Sequence, residues 1–319
     1  MALGSHRPGG IEEMRIGLFM LANRDVPTMV ERIVKAEEEG FDGVWFGQVL
    51  GPDVMTLLAL AGPRTSRIEL GTSVVPVQLR HPVFMAQQAL TVNAACNGRL
   101  ALGLGPSHRV VVEGSWGLSY DRAAAYMREY LSILRPLVHE GRAQFQGQFF
   151  RVNVSFQVTG ASPFPLLISA LGPVMLRLAG EMAEGTITWM TGPRALEAHV
   201  IPRITKAAEA AGRPRPRIVV GLPIALASDA EAARQRAAQM FQFYGQLPSY
   251  RRMLDLEGVQ EPQDVAIVGN EQQVEAQLRR LADIGVTDFL ASVFPGGDGD
   301  DAQSMARTRE FLRSLLGKL

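Results

Sequence analysis

Cysteine is almost absent from this 319-residue chain, which carries one, Cys96. A single thiol excludes an internal disulfide framework and a cysteine metal cluster, and it suits a reducing compartment, so a cytoplasmic protein is expected. There is no charge excess either. Thirty-two Lys and Arg balance thirty-two Asp and Glu, so no overall field favours nucleic acid or an anionic membrane, and an anionic ligand must be held by local groups. No window reaches eighteen uninterrupted apolar residues, which argues against a membrane span. The opening MALGSHRPGGIEEM lacks the apolar core of a signal peptide. Residues 1–14 are therefore expected to be a disordered leader or cloning remnant ahead of one domain over 15–319. HExxH and the nucleophile elbow GxSxG are missing, and no pair of carboxylates stands out, which disfavours metal catalysis and hydrolysis.

What is present is a repeated alternation of strand and helix signals. Apolar runs at 16–20, 43–47, 68–75, 99–104, 165–169, 186–190, 217–225 and 287–293 are each followed by a helical stretch with cap and stop residues. Asp25 and Pro27 open TMVERIVKAEEEG, which Gly40 ends, and Pro82 opens a helix reaching about Ala95. Eight such units predict a (β/α)8 TIM barrel of parallel strands with right-handed crossovers. The rhythm breaks twice. An insertion follows the fourth strand, with a helix near 121–140 and the aromatic stretch QFQGQFFRV, and a longer helical segment broken near Leu247 and Pro248 follows the seventh. An open doubly wound sheet would want a phosphate loop after its first strand, but the turn there, Leu21-Ala22-Asn23-Arg24, has no glycine. LGLGP after the fourth strand does not restore that motif, because His108 stands where the third glycine of GxGxxG would be.

In a barrel the active site lies at the C-terminal ends of the strands. That rule gathers Gln48, Thr72, Ser73, Ser107, His108, Glu113, Ser169, Ala170, Trp189, Met190 and Thr191 at one mouth. Thr72 and Ser73 are hydroxyl residues inside the otherwise apolar LGTSVVP, and each needs a hydrogen-bond partner. Of the five histidines, His108 alone lacks a structural explanation: His6 is in the leader, His81 precedes Pro82 and braces a turn, His139 ends a helix, and His199 is expected in a surface helix. Glu113 reads equally as a solvated loop carboxylate. Ser169-Ala170-Leu171-Gly172-Pro173 carries the clearest signal, since Gly172 permits close approach to the backbone and Pro173 starts a helix whose free N–H groups suit an anion. A phosphate-bearing cofactor fits there. Trp116 and Phe149 are expected to pack the insertion.

FDGVWFGQ, LGTSVVP, RHPVFMAQQALTVNAACNGRLALGLG, FQGQFF, ISALGP and IVGNEQQVEAQLRRLADIGVTDF stand in the order found in the bacterial luciferase-like flavin and deazaflavin oxidoreductases, which the chain resembles from Met14 to Leu319. GPSHRVVVEGSWGLSYDRAAAYMREYLSIL is most similar to the branch that uses coenzyme F420. The resemblance implies a non-prolyl cis peptide at Ser73–Val74 behind the deazaflavin ring, with Gln48, Thr72, Ser73, Val74, Ser107 and His108 around the cofactor. It also implies that the cofactor's phosphate lies at Ala170, Leu171, Gly172 and Pro173. Many relatives carry an acidic residue and a histidine at the end of the second strand, where this chain has Gln48-Val49. Gln48 accepts and donates hydrogen bonds but is no general acid, so the expected catalytic set is His108 as proton donor, Glu113 as its alternate, and Gln48 as a ring contact. Tyr120 or water are further candidates for the donor.

The implied activity is hydride transfer from reduced F420 to an activated C=C or C=N bond of a small organic substrate. A monooxygenase using FMN is the alternative reading, and a non-catalytic flavin-binding barrel a third. The resemblance, together with the apolar content of VFMAQQALTVNAA, also implies a homodimer.

Overall fold

The computed structural model describes residues 13–297 and 299–319. Eight parallel strands close a barrel: β1 (Arg15–Leu21), β2 (Gly43–Gly47), β3 (Glu69–Thr72), β4 (Leu100–Gly105), β5 (Leu166–Ser169), β6 (Gly185–Trp189), β7 (Arg217–Leu226) and β8 (Asp288–Val293). Each pairs with its sequence neighbour, β8 pairs with β1 at Arg15↔Asp288, and β6 pairs with β7 at Gly185↔Arg217. The expected (β/α)8 barrel is what forms, with helices between the strands. Its first helix shows why. Asp25 caps Val26–Glu38 by accepting from the Thr28 N–H at 3.0 Å, Met29, Val30, Ile33 and Ala36 form the buried stripe, and Gly40 at φ 92° ends the turn. Of the segment read as a leader, residues 1–12 lie outside the described residues, whereas Met14 is buried and its N–H donates to the Leu319 carbonyl at 2.7 Å.

Alternation along the strands sorts the barrel interior into layers. At the N-terminal end Arg217 Nη2 donates to Glu69 Oε1 and Asp288 Oδ1, each at 2.8 Å, and Arg15 joins both acids. Burial pushes the Asp288 carboxyl up, but Arg217 and Arg15 outweigh it and hold the group below the usual carboxylate range. Above this floor Trp45, Ala101, Leu167, Ile187, Val219 and Leu290 fill the middle, with Phe19 and Val74 covering them towards the mouth. Room for the Trp45 indole comes from Gly71, where an added methyl group would overlap the ring. These side chains pack the middle of the lumen and leave the mouth above it as the accessible end.

Three features differ from the sequence-based expectation. The strand expected at 68–75 is broken: β3 ends at Thr72, and pairing with β4 resumes only at Val75–Pro76. Gly71 faces Ala101 and Val75 faces Leu104, so β3 carries one extra residue, a bulge. The insertion after β4 contains the expected long helix, Ala123–Glu140, but also an antiparallel hairpin, Arg142–Gln146 with Arg151–Ser155. The helix expected at 194–211 is interrupted by a π turn, Leu196–Val200, between Pro193–Ala195 and Ile201–Ala210.

Candidate active site

The bulge in β3 accounts for Thr72. Its hydroxyl donates to the Gly103 carbonyl at 2.8 Å and accepts from the Gly103 N–H at 2.9 Å, replacing the ladder bonds that the extra residue displaces. Thr72 is fully buried, so it shapes the bulge instead of facing the mouth as expected. Ser73 and Val74 are half-buried at the mouth and are joined by a cis peptide bond. The Ser73 N–H donates to the Phe46 carbonyl at 2.7 Å, and the Gln48 N–H to the Val74 carbonyl at 3.2 Å, which fixes the bulge to the end of β2. The Gln48 side chain is engaged locally. Its Oε1 accepts from the Val54 N–H at 2.9 Å and its Nε2 donates to the Val49 carbonyl at 2.8 Å, so it braces the loop after β2.

His108 lies across the mouth, half-buried, immediately before the short Arg109–Gly114 helix. Its ring meets Tyr250 at 5.6 Å between centroids; Tyr250 meets Tyr244 at 5.3 Å, Tyr244 meets Trp189 at 5.7 Å, and Trp189 stacks on Phe19 at 5.1 Å. An aromatic belt thus runs from β1 over β6 to the loop after β4. Burial among these rings pushes the His108 pKa below its ordinary value and the Tyr250 hydroxyl above its own. Glu113, by contrast, is exposed and ion-paired with Arg109, which also reaches Asp121 at 3.1 Å. Ser107 and Met190, at the ends of β4 and β6, adopt left-handed backbone at φ 56° and 51°, a conformation non-glycine residues rarely take. The Tyr120 hydroxyl donates to the Ser107 carbonyl at 3.3 Å. Trp189 and Phe19 are half-buried at the mouth, while Met190 is completely buried and lines nothing.

The turn after β5 is the open part of the rim. Gly172 precedes the Pro173–Met182 helix, no side-chain cap occupies its first turn among the described residues, and an added methyl group at Gly172 would meet nothing within 4 Å. Unsatisfied N–H groups with a helix dipole behind them make a receptor for a phosphate. The carbonyl of Leu171 is held from below by His199, whose Nε2 donates to it at 2.7 Å. His199 is only 4 % exposed, so the expectation of a surface residue is corrected. Burial lowers its pKa, with the Leu171 carbonyl acting in the opposite direction. The π turn carries this histidine, adding a residue to the helix just where the ring meets the loop.

The turn after β6 repeats the same Gly-Pro pattern and ends differently. The Ala195 N–H donates to Glu257 Oε2 at 2.8 Å, the Arg194 N–H reaches the same carboxylate, and a methyl group at Gly192 would overlap it. Glu257 comes from the Pro248–Glu257 helix in the segment after β7.

The model of the family described as luciferase-like monooxygenase matches residues 14–288. The chain belongs to that family. Among similar proteins of this kind are the F420-dependent glucose-6-phosphate dehydrogenase of Nakamurella multipartita, 28% identical over 84% of this chain and 82% of the relative, and the 5,10-methylenetetrahydromethanopterin reductase of Methanolobus tindarius, 24% identical over 87% and 94%. In fold the chain is similar to the coenzyme F420 dependent tetrahydromethanopterin reductase of Methanopyrus kandleri, with a TM-score of 0.77, 20% identity and coverage of 95% and 98%. Against this luciferase-like frame, sequence reasoning missed Tyr244, Tyr250, His199 and Glu257. The first two had a visible signal, the aromatic run MFQFYGQLPSY beside Pro248. His199 and Glu257 had none beyond a polar residue on a helix.

Proposed function

We propose that the protein is a coenzyme F420-dependent reductase of the luciferase-like family, passing a hydride to an activated C=C or C=N bond of a small organic substrate. The observation that carries the reading is the pairing of an uncapped, sterically open helix start at Gly172–Pro173 with the half-buried ring of His108 across an aromatic mouth. When bound, the reduced deazaflavin supplies the hydride. The chain's own groups do the rest. Backbone N–H groups of Gly172, Val174 and Met175 would hold the phosphate, Ser73 and Val74 would back the ring, Phe19 and Trp189 would present flat apolar surface, and Gln48 keeps the β2 loop in place.

His108 delivers the proton that the reduced product needs. Its depressed pKa makes the protonated form scarce at neutral pH, so turnover is expected to rise as pH falls towards that pKa. His108→Gln keeps hydrogen-bonding capacity without titration, and should lower turnover by about 10²–10⁴ with F420 affinity nearly kept. Turnover within severalfold of wild type with an unchanged pH profile would remove His108 from this role. Glu113 would then be tested next, although its pairing with Arg109 counts against it. An acceptor screen that follows F420 absorbance identifies the substrate. Oxygen-dependent turnover with FMN and none with F420 would establish the monooxygenase reading instead.

The reading includes a cytoplasmic homodimer. No helix among the described residues is long and apolar enough to cross a membrane. Leu60 and Phe84 are 50% and 68% exposed on the Val54–Ala61 and Pro82–Ala95 helices, apolar surface that a second copy would cover. Light scattering at micromolar concentration tests this, a monomer contradicting it.

A further inference from the structure

The geometry points to Tyr250 as a positioning residue for His108, held there by Glu257, which closes the helix start after β6 from the other end of the same helix. The proposal rests on reading His108 as the proton donor. The need for such a residue comes from what the imidazole lacks. His108 precedes the Arg109–Gly114 helix without capping it, and its ring makes no hydrogen bond to another group among the described residues. A histidine that moves protons is ordinarily oriented by a carboxylate or a carbonyl on its second nitrogen. Here the neighbouring charges are engaged elsewhere, since Arg109 pairs with Glu113 and Asp121 and lies over the Tyr120 ring at 5.2 Å. What stands against the imidazole is the Tyr250 ring, 5.6 Å away and inclined at 58°. Packing against that ring therefore sets which way the two nitrogens point.

Tyr250 is itself fixed from two sides. Its ring stands edge-on to Tyr244 at 5.3 Å and 87°, and Tyr244 in turn meets Trp189. It belongs to the Pro248–Glu257 helix, whose Met253 and Leu254 are completely buried. Tyr250, Met253, Leu254 and Glu257 follow the i, i+3, i+4, i+7 spacing of one helix face, so the tyrosine and the carboxylate leave the same side about two turns apart, roughly 10 Å along the axis. At the near end the Tyr250 N–H donates to the Leu247 carbonyl at 3.0 Å, and at the far end Glu257 Oε2 accepts from the Ala195 N–H at 2.8 Å. Arg251 ties the helix to the chain beyond it, donating to the Val259 carbonyl at 2.9 Å. The helix is a strut between the closed helix start at Gly192 and Pro193 and the imidazole of His108.

Apart from the Arg109 ion pairs, the titratable groups around His108, from its own insertion and from the segment after β7, are the phenols Tyr120, Tyr244 and Tyr250, which burial holds neutral. The His108 titration therefore reports its packing. The test follows the His108 Cε1–H resonance of the full chain through pH by NMR without cofactor, the resonance being identified by its loss in His108→Gln. In Tyr250→Ala water reaches the imidazole, and its depressed pKa should rise towards the ordinary histidine value. Tyr250→Phe keeps the ring and should restore the wild-type titration. Glu257→Ala should shift the titration in the same direction, and should add nothing when combined with Tyr250→Ala. In turnover with F420, Tyr250→Ala should lower kcat about 10–100-fold with F420 affinity kept within about twofold, and Tyr250→Phe should rescue kcat. An unmoved titration in Tyr250→Ala or in Glu257→Ala, equal shifts in Tyr250→Ala and Tyr250→Phe, or additive shifts in the double variant would overturn the proposal. A titration that follows these substitutions while His108→Gln leaves turnover unchanged would instead contradict the proton-donor reading and leave the strut standing.

Discussion

Two helix starts stand side by side on the rim and share the dipeptide Gly-Pro, at Gly172–Pro173 after β5 and at Gly192–Pro193 after β6. Both present N–H groups that the helix cannot satisfy, but a glycine is required for close approach only at Gly192, where an added methyl group would overlap Glu257, whereas Gly172 faces open space. At the second, the protein supplies the anion itself, with the Glu257 carboxylate seated on the Arg194 and Ala195 N–H groups. At the first, no side chain takes that place among the described residues, and the loop is braced only from beneath, by His199 on the Leu171 carbonyl. The closed start shows what the geometry accepts. The open one is where a ligand's phosphate can be received.

Making the open start resemble the closed one should have the largest effect. Gly172→Asp places a carboxylate beside the free N–H groups, and loss of two charge-assisted bonds at roughly 1.5–3 kcal/mol each implies a fall in F420 affinity of about 10²-fold or more. Stability should hardly change, since the added side chain meets open space. A calorimetric titration alongside a thermal melt measures both; unchanged affinity would contradict the role of this turn.

The reverse change comes next. Glu257→Ala opens the second start, and should cost about 2 kcal/mol in urea unfolding because buried N–H groups lose their acceptor. Millimolar phosphate should recover part of that loss in the variant and little in the wild type. No recovery would mean that a free anion cannot replace the carboxylate.

Only one of these starts was readable in full. Gly172-Pro173 follows an apolar strand and declares itself by residue type alone, because proline at the first helical position and glycine before it have fixed backbone consequences. The same pattern at Gly192-Pro193 was equally visible, but what closes it lies 62 residues away, on a helix that only the packing of the segment after β7 brings back to the rim. His199 was misjudged for a related reason. A regular helix from 194 to 211 was the simplest continuation, and a π turn has no residue-type signature that would have shifted the register and turned the ring inward. Thr72 posed the right question, a hydroxyl needing a partner inside an apolar strand, but the partner was a neighbouring strand across a bulge.

A smaller effect separates the two starts by pH. Burial raises the Glu257 pKa, with the Ala195 and Arg194 N–H groups pulling it down. A carboxyl whose folded pKa lies above its unfolded one adds stability below the unfolded value, and that contribution is lost as pH rises through the folded value. Glu257→Gln should therefore remove a decline in stability on going from acid pH upward through the carboxylate range. Urea midpoints at several pH values test this, and a profile identical to wild type would show that the carboxyl does not titrate as described.

The smallest change loosens the brace beneath the open start. His199→Phe keeps an aromatic ring in the buried site but loses the bond to Leu171, and about 1 kcal/mol of lost positioning should weaken F420 roughly fivefold. His199→Gln, which can still donate to that carbonyl, should recover most of the loss. Equal weakening by both substitutions would point to packing and not to the hydrogen bond.

The central claim is that the open start and the aromatic mouth together receive a phosphate-bearing deazaflavin. The most direct measurement is a titration of the purified protein with oxidised coenzyme F420 and, separately, with FMN, followed by the absorbance of each. Sub-micromolar binding of F420, weakened by Gly172→Asp and insensitive to His108→Gln, is the expected result; sub-micromolar binding of FMN with none of F420 would contradict it.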